Sequence, residues 1–152
     1  AQILSQALAE GAHIVTDTQM ALSGINKKTL AAFGGQVHCF MADEDVARQA
    51  RERGVTRACV SMEKAATLSV PLIFAIGNAP TALLRLDELV REGTVRPRLI
   101  IGVPVGFVNV VQSKERIMNA GVPCIVAKGR KGGSNVAAAI VNAGLYRLTR
   151  AE

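Results

Sequence analysis

Five short apolar runs punctuate the chain: HIVTDT at 13–18, QVHCFM at 36–41, LIFAIG at 72–77, RLIIGVPVG at 98–106 and PCIVAKG at 123–129. They are rich in Val and Ile and are followed by turn residues, the pattern of strands buried on both faces. Between them NKKTLAAF (26–33), DEDVARQARERG (43–54), APTALLRLDELVREG (79–93), VQSKERIMNAG (111–121) and SNVAAAIVNAGLYRLTR (134–150) place apolar residues at helical spacing with charges opposite. This strand–helix alternation predicts an α/β fold, a flavodoxin-like three-layer sandwich with a five-stranded parallel sheet and right-handed crossovers. Pro80 opens one helix, Gly93 closes it, and Gly121 closes the next ahead of Pro123. The stretch 54–69 is helical in composition but gives no clear ends. AQILSQALAEG at 1–11 reads as a helix already under way, so the expectation is one α/β domain over 1–152 that lacks an N-terminal segment.

Composition narrows this frame. Hydrophobic residues make up 49% of 152 while aromatics make up 3%, so Val, Ile, Leu and Ala must build the core. No apolar run approaches the about 20 residues of a membrane span. Cys39, Cys59 and Cys124 form neither a CxxC nor a zinc-ligand pattern, which points to a reduced cytoplasm with all three as small core residues. The net charge of +6 admits nucleic acid, an acidic membrane surface or a polyanionic small molecule as partner, and charge alone does not choose among them. Nucleic acid is the poorer choice, since one Tyr and four Phe offer few stacking surfaces.

In an open parallel sheet, ligands lie beyond the carboxyl ends of the strands. The residues to watch are therefore Asp17, Thr18 and Met20, then Gly77, Asn78 and Thr81, then Pro104, Gly106 and Phe107, and finally 129–134. GRKGGSN at 129–135 is either an anion cradle of backbone N–H groups or a strand-to-helix turn with two solvated cations. It is neither a P-loop nor a GxGxxG fingerprint. Asp17 suits bracing of a loop through backbone N–H groups. Arg57 could grip a carboxylate bidentately or sit on a solvated helix face. Lys114 and Glu115 look by themselves like an exposed charged first turn. His13 lies at the wrong end of its strand for the active edge, and His38 alternates with core residues, so neither is a well-placed acid or base.

Taken together, GAHIVTDTQMALSGI (11–25), GVTRAC (54–59), AIGNAPTALLRLDELV (75–90), IIGVPVGFVNVVQSKERI (100–117) and GVPCIVAKGRKGGSNVAAAIVNA (121–143) resemble the precorrin-8X methylmutase family nearly end to end. The resemblance implies a cytoplasmic, homodimeric isomerase of cobalamin biosynthesis with no redox or nucleotide cofactor and no metal ligands. Such an enzyme shifts a ring methyl of precorrin-8X to give hydrogenobyrinic acid, or acts on cobalt-precorrin-8 to give cobyrinic acid. It also implies roles on a polycarboxylate tetrapyrrole for Arg57 with Thr56, for a lining loop at Gly24, Ile25 and Asn26, for Asn78, and for Ser113, Lys114, Arg130 and Ser134. The family's proton-transferring histidine is expected upstream of Ala1, matched by neither His13 nor His38. Two other readings stay open: a non-catalytic corrinoid-binding fragment or carrier, and an unrelated flavodoxin-like domain that binds a phosphate-bearing cofactor through GRKGGSN.

Overall fold

A computed structural model of the chain describes residues 2–106, 109–127 and 132–150. Its strands, β1 (His13–Thr16), β2 (Val37–His38), β3 (Leu72–Ile76), β4 (Leu99–Gly102) and β5 (Cys124–Val126), form one sheet in the order β2-β1-β3-β4-β5. Every pairing is parallel. The predicted α/β sandwich is therefore present, and its strand order is the flavodoxin-like one.

The sheet faces follow from period-two alternation. Ile14, Ile73, Ala75, Leu99 and Ile101 turn to one face and pack with Leu4 and Leu8 of α1 (Gln2–Ala9), Leu30 of α3 (Lys27–Ala32), and Ala137, Val141 and Leu145 of α8 (Ser134–Arg150). Val15, Leu72, Phe74, Ile76 and Ile100 turn to the other face, against Met62 of α5 (Arg57–Ala65), Leu83 and Leu86 of α6 (Pro80–Arg91), and Ile117 of α7 (Val110–Met118). Side chains buried to this degree contribute about 1.5–3 kcal/mol each. On the second face, α4 (Glu44–Arg53) makes a smaller cluster of Val46 and Ala50 with Val60. Among the described residues no helix is long and apolar enough to cross a membrane.

Several boundaries differ from the sequence expectation. The run 36–41 yields a strand of only two residues, and 98–106 stops being strand at Gly102, ahead of Pro104. Between β1 and β2 the single expected helix is preceded by α2 (Gln19–Gly24), capped by the Thr18 hydroxyl, which accepts from the Ala21 N–H at 3.0 Å. The ends missing from 54–69 are set by Thr56, whose hydroxyl caps α5 by accepting from the Cys59 N–H at 3.2 Å. The three cysteines are half-buried rather than core residues.

One polar group is buried between helices on the second face. Asp87 of α6 has no exposed surface and accepts from Arg91 Nε at 2.7 Å and from Arg116 Nη2 of α7 at 2.9 Å. Both guanidiniums keep about half their side chains in water, at 49% and 56%. They neutralise the carboxylate while tying α6 to α7.

Candidate functional site at the carboxyl edge

β1 connects outward to β2 on one side and lies against β3 on the other, so the topological switch point falls between β1 and β3. Asp17 and Thr18 leave β1 there, and Gly77 and Asn78 leave β3. Asp17 is 2% exposed, and its carboxylate accepts three backbone hydrogen bonds: Gly77 N–H at 2.9 Å, Asn78 N–H at 2.9 Å and Ala79 N–H at 2.6 Å. Burial pushes its carboxyl above the usual range, against the pull of those three donors. The bracing role expected of Asp17 is thus the one it has.

Across the crevice the Thr18 hydroxyl shares a 2.8 Å hydrogen bond with that of Ser134, joining the start of α2 to the start of α8. The backbone closes tightly underneath. A Cβ on Gly77 would sit 2.7 Å from Ser134 Cα, so only glycine allows this approach. Gly132 has φ +146°, and a Cβ there would meet the Val103 carbonyl oxygen at 2.1 Å. Val103 in turn donates to the Ile76 carbonyl at 2.8 Å and accepts from the Gly133 N–H at 2.7 Å, so the β3, β4 and α8 ends are stitched together. Above lies an open cleft of about 420 Å³ lined by Thr18, Met20, Asn78, Val105, Ser134 and Asn135. Met20 (64% exposed) and Val105 (37%) give this polar floor an apolar rim.

Of the site residues expected from sequence, Asn78 and Ser134 meet here. Thr56 and Arg57 reach the same edge, because the Thr56 hydroxyl bonds that of Thr81 in the first turn of α6 at 3.4 Å. Arg57 is exposed. Gly24, Ile25 and Asn26 are not brought to the crevice. They run along α8, where Asn142 accepts from the Asn26 N–H and donates to the Gly24 carbonyl, both at 2.8 Å, beside a separate surface cleft. Gly24 permits that packing, since a Cβ would come within 3.0 Å of Ala138 Cβ. Lys114 corrects the reading of an exposed charged first turn, since it is buried in α7 beside the buried Ser113, whereas Glu115 is exposed as expected. The Ser113 hydroxyl donates to its own helix at Val110 O, 2.8 Å away, and burial lowers the Lys114 ammonium pKa. Arg130, with Phe107 and 128–131, lies outside the described residues.

The histidines form an unforeseen pair away from the crevice. His13 Nδ1 and His38 Nε2 are 3.0 Å apart, with the rings stacked at 5.2 Å and Phe40 beyond His38 at 5.6 Å. Lys64 lies 5.2 Å over the far ring and is neutralised by Asp43 and Asp45. Burial first, and the His13 charge second, hold the His38 ring below its ordinary value.

The family model described as precorrin-8X methylmutase matches residues 1–147. The chain belongs to the precorrin-8X methylmutase family. Among its relatives, a protein of Salmonella typhimurium named cobalt-precorrin-8 methylmutase is 49% identical over 149 residues, covering 97% of this chain and 69% of that protein. One of the same name from Leptospira interrogans is 45% identical over 146 residues, covering 91% of this chain and 66% of the relative. The solved precorrin-8X methylmutase of Thermus thermophilus superposes with a TM-score of 0.88 at 38% identity, covering 99% of this chain and 72% of that one. The chain thus spans about two thirds of the length of these curated methylmutases. The crevice residues missed as a set, Asp17 with the Thr18–Ser134 pair, had only their position after a strand to mark them, because their partners lie 60 to 116 positions away.

Proposed function

We propose that this chain is the tetrapyrrole-binding α/β domain of a precorrin-8X methylmutase, an isomerase of cobalamin biosynthesis. It moves a ring methyl of precorrin-8X to form hydrogenobyrinic acid, or acts likewise on the cobalt-bearing counterpart. The family match over residues 1–147 carries this reading. The carboxyl edge supports it: a flat macrocycle has apolar faces for the Met20 and Val105 rim and peripheral carboxylates for the exposed Arg57 and the basic 128–131 link.

A methyl shift needs the macrocycle held in one orientation and a proton placed on it. In our reading Arg57, with Thr56 fixing the start of its helix, grips a carboxylate. Asn78 and Ser134 line the floor, and Arg130 adds charge from the β5–α8 link. Gly24, Ile25 and Asn26 form a flanking lining loop, and Ser113 and Lys114 of α7 complete the substrate-binding set. The proton does not come from His13 or His38, which pair on the β1–β2 side of the sheet, away from this cleft. The working form is taken to be a cytoplasmic homodimer of single-domain subunits, a state that sedimentation of the purified chain would check.

Titration with hydrogenobyrinic acid, followed by the pigment's visible absorption, tests the reading. Wild type is expected to bind, and Arg57→Ala to bind about 10- to 100-fold more weakly, the loss of one charge-assisted pair. Equal affinity would remove Arg57 from the site. Absence of binding by wild type would overturn the assignment of the pocket to this chain.

A further inference from the structure

Where a helix starts just beyond a strand at a switch point, its free N–H groups form a seat for an anion, and many folds of this topology place a phosphate there. In this chain the seat is filled from within. The N–H groups of Gly77, Asn78 and Ala79 all donate to the Asp17 side chain. Ala79, the N-cap of α6, has no side-chain cap of its own, and Pro80 has no N–H to offer. Among the described residues no Lys or Arg pairs with Asp17, and its hydrogen-bond partners there are these backbone dipoles.

We infer that Asp17 is a specificity-determining residue: a built-in anion that occupies the phosphate seat of the crevice and closes it to phosphate-bearing ligands. Each of the three N–H groups has a single hydrogen, already donated, so none is left for an incoming anion. A phosphate or carboxylate lowered onto those N–H groups would also meet the Asp17 carboxylate, with which no Lys or Arg pairs among the described residues. Among the described lining, the polar side chains that remain for a ligand are the neutral ones of Thr18, Asn78, Ser134 and Asn135. The carboxylates of a bound ligand are thereby directed outward to cations at the rim, of which Arg57 is one. The inference deepens the function proposed above, since it rests on the crevice being the ligand site. Its test uses no tetrapyrrole, so the two can fail separately.

The test compares thermal melts of the 152-residue chain and Asp17→Ala in chloride, formate and phosphate at matched ionic strength, with backbone amide NMR of both. General salt effects are removed by taking the difference between the two proteins in each salt. In chloride the variant is expected to melt roughly 5–10 °C lower, with three N–H groups stranded. Formate should close more than half of that gap by refilling the seat, and phosphate a smaller part. The amide signals of Gly77, Asn78 and Ala79 should move on adding formate or phosphate to the variant and stay fixed in wild type. Movement of those signals in wild type on adding phosphate would overturn the inference, as would a gap equal in all three salts. Should Asp17→Ala fold in no salt, the wild-type amides decide alone: shifts with phosphate overturn the inference and fixed signals uphold it.

Discussion

Helix α6 has a buried carboxylate near each end, and the two are held in opposite ways. At its start Asp17 is balanced by three backbone N–H groups and, among the described residues, pairs with no cation. Near its end Asp87 is balanced by two guanidiniums reaching in from water. The first arrangement fixes a turn, because the donors are the main chain itself. The second fixes a distance between helices, because the donors are long side chains that could rearrange. Backbone donors cannot retreat to solvent when the carboxylate is lost, whereas the arginines can.

That contrast is sharpest when the cations are removed instead of the acid. Arg91→Ala with Arg116→Ala leaves Asp87 charged and buried, and urea denaturation should show a loss of about 3–5 kcal/mol. Asp87→Asn should lose much less, about 1–2 kcal/mol, since both guanidiniums are half in water already. Formate should not restore Asp87→Asn, unlike Asp17→Ala, since no empty seat of fixed donors is created. If it did, the distinction between the two ends of α6 would collapse.

The smallest effect concerns a third way of handling charge, by refusing it. The His38 ring is held below its ordinary 6.5 in the fold. An unfolded chain therefore takes up protons in a window where the folded chain does not. Stability from this group is complete above about pH 6.5 and declines as pH falls from there towards the folded value. A shallow fall in melting temperature over that window, flattened in His38→Gln, is the expected result. An unchanged slope in the variant would remove the pair from the pH response.

The apolar elements were legible in the sequence, because strands such as 72–76 are unbroken apolar runs buried on both faces and helices such as 80–91 follow one helical period. Elements defined by their ends were not. α2 has six residues and exists because Thr18 caps it, while Lys27 Nζ donates to the carbonyls of Leu22 and Ile25 at its far end. The strand at 36–41 shrank to two residues, and the apolar character of Phe40 and Met41 serves packing beneath α4 and α5 instead. In the site, single residues were readable and pairings were not. Asp17 and Asn78 both follow strands, but nothing local says that one grips the turn carrying the other. Lys114 misled because charge implies water, whereas here the side chain is buried.

Order of synthesis gives the Gly77–Ser134 contact a further meaning. The crevice floor is made of segments that leave the ribosome far apart, with α8 following all five strands. Until α8 arrives, the face carrying Ile14, Ile73 and Ile101 lacks its largest cover, and the two glycine-bearing turns have nothing to close against. A nascent chain must keep that apolar face from other chains for most of its translation. The crevice floor needs the start of α8 in place, so binding competence is expected to appear together with the final burial of this face and not before it.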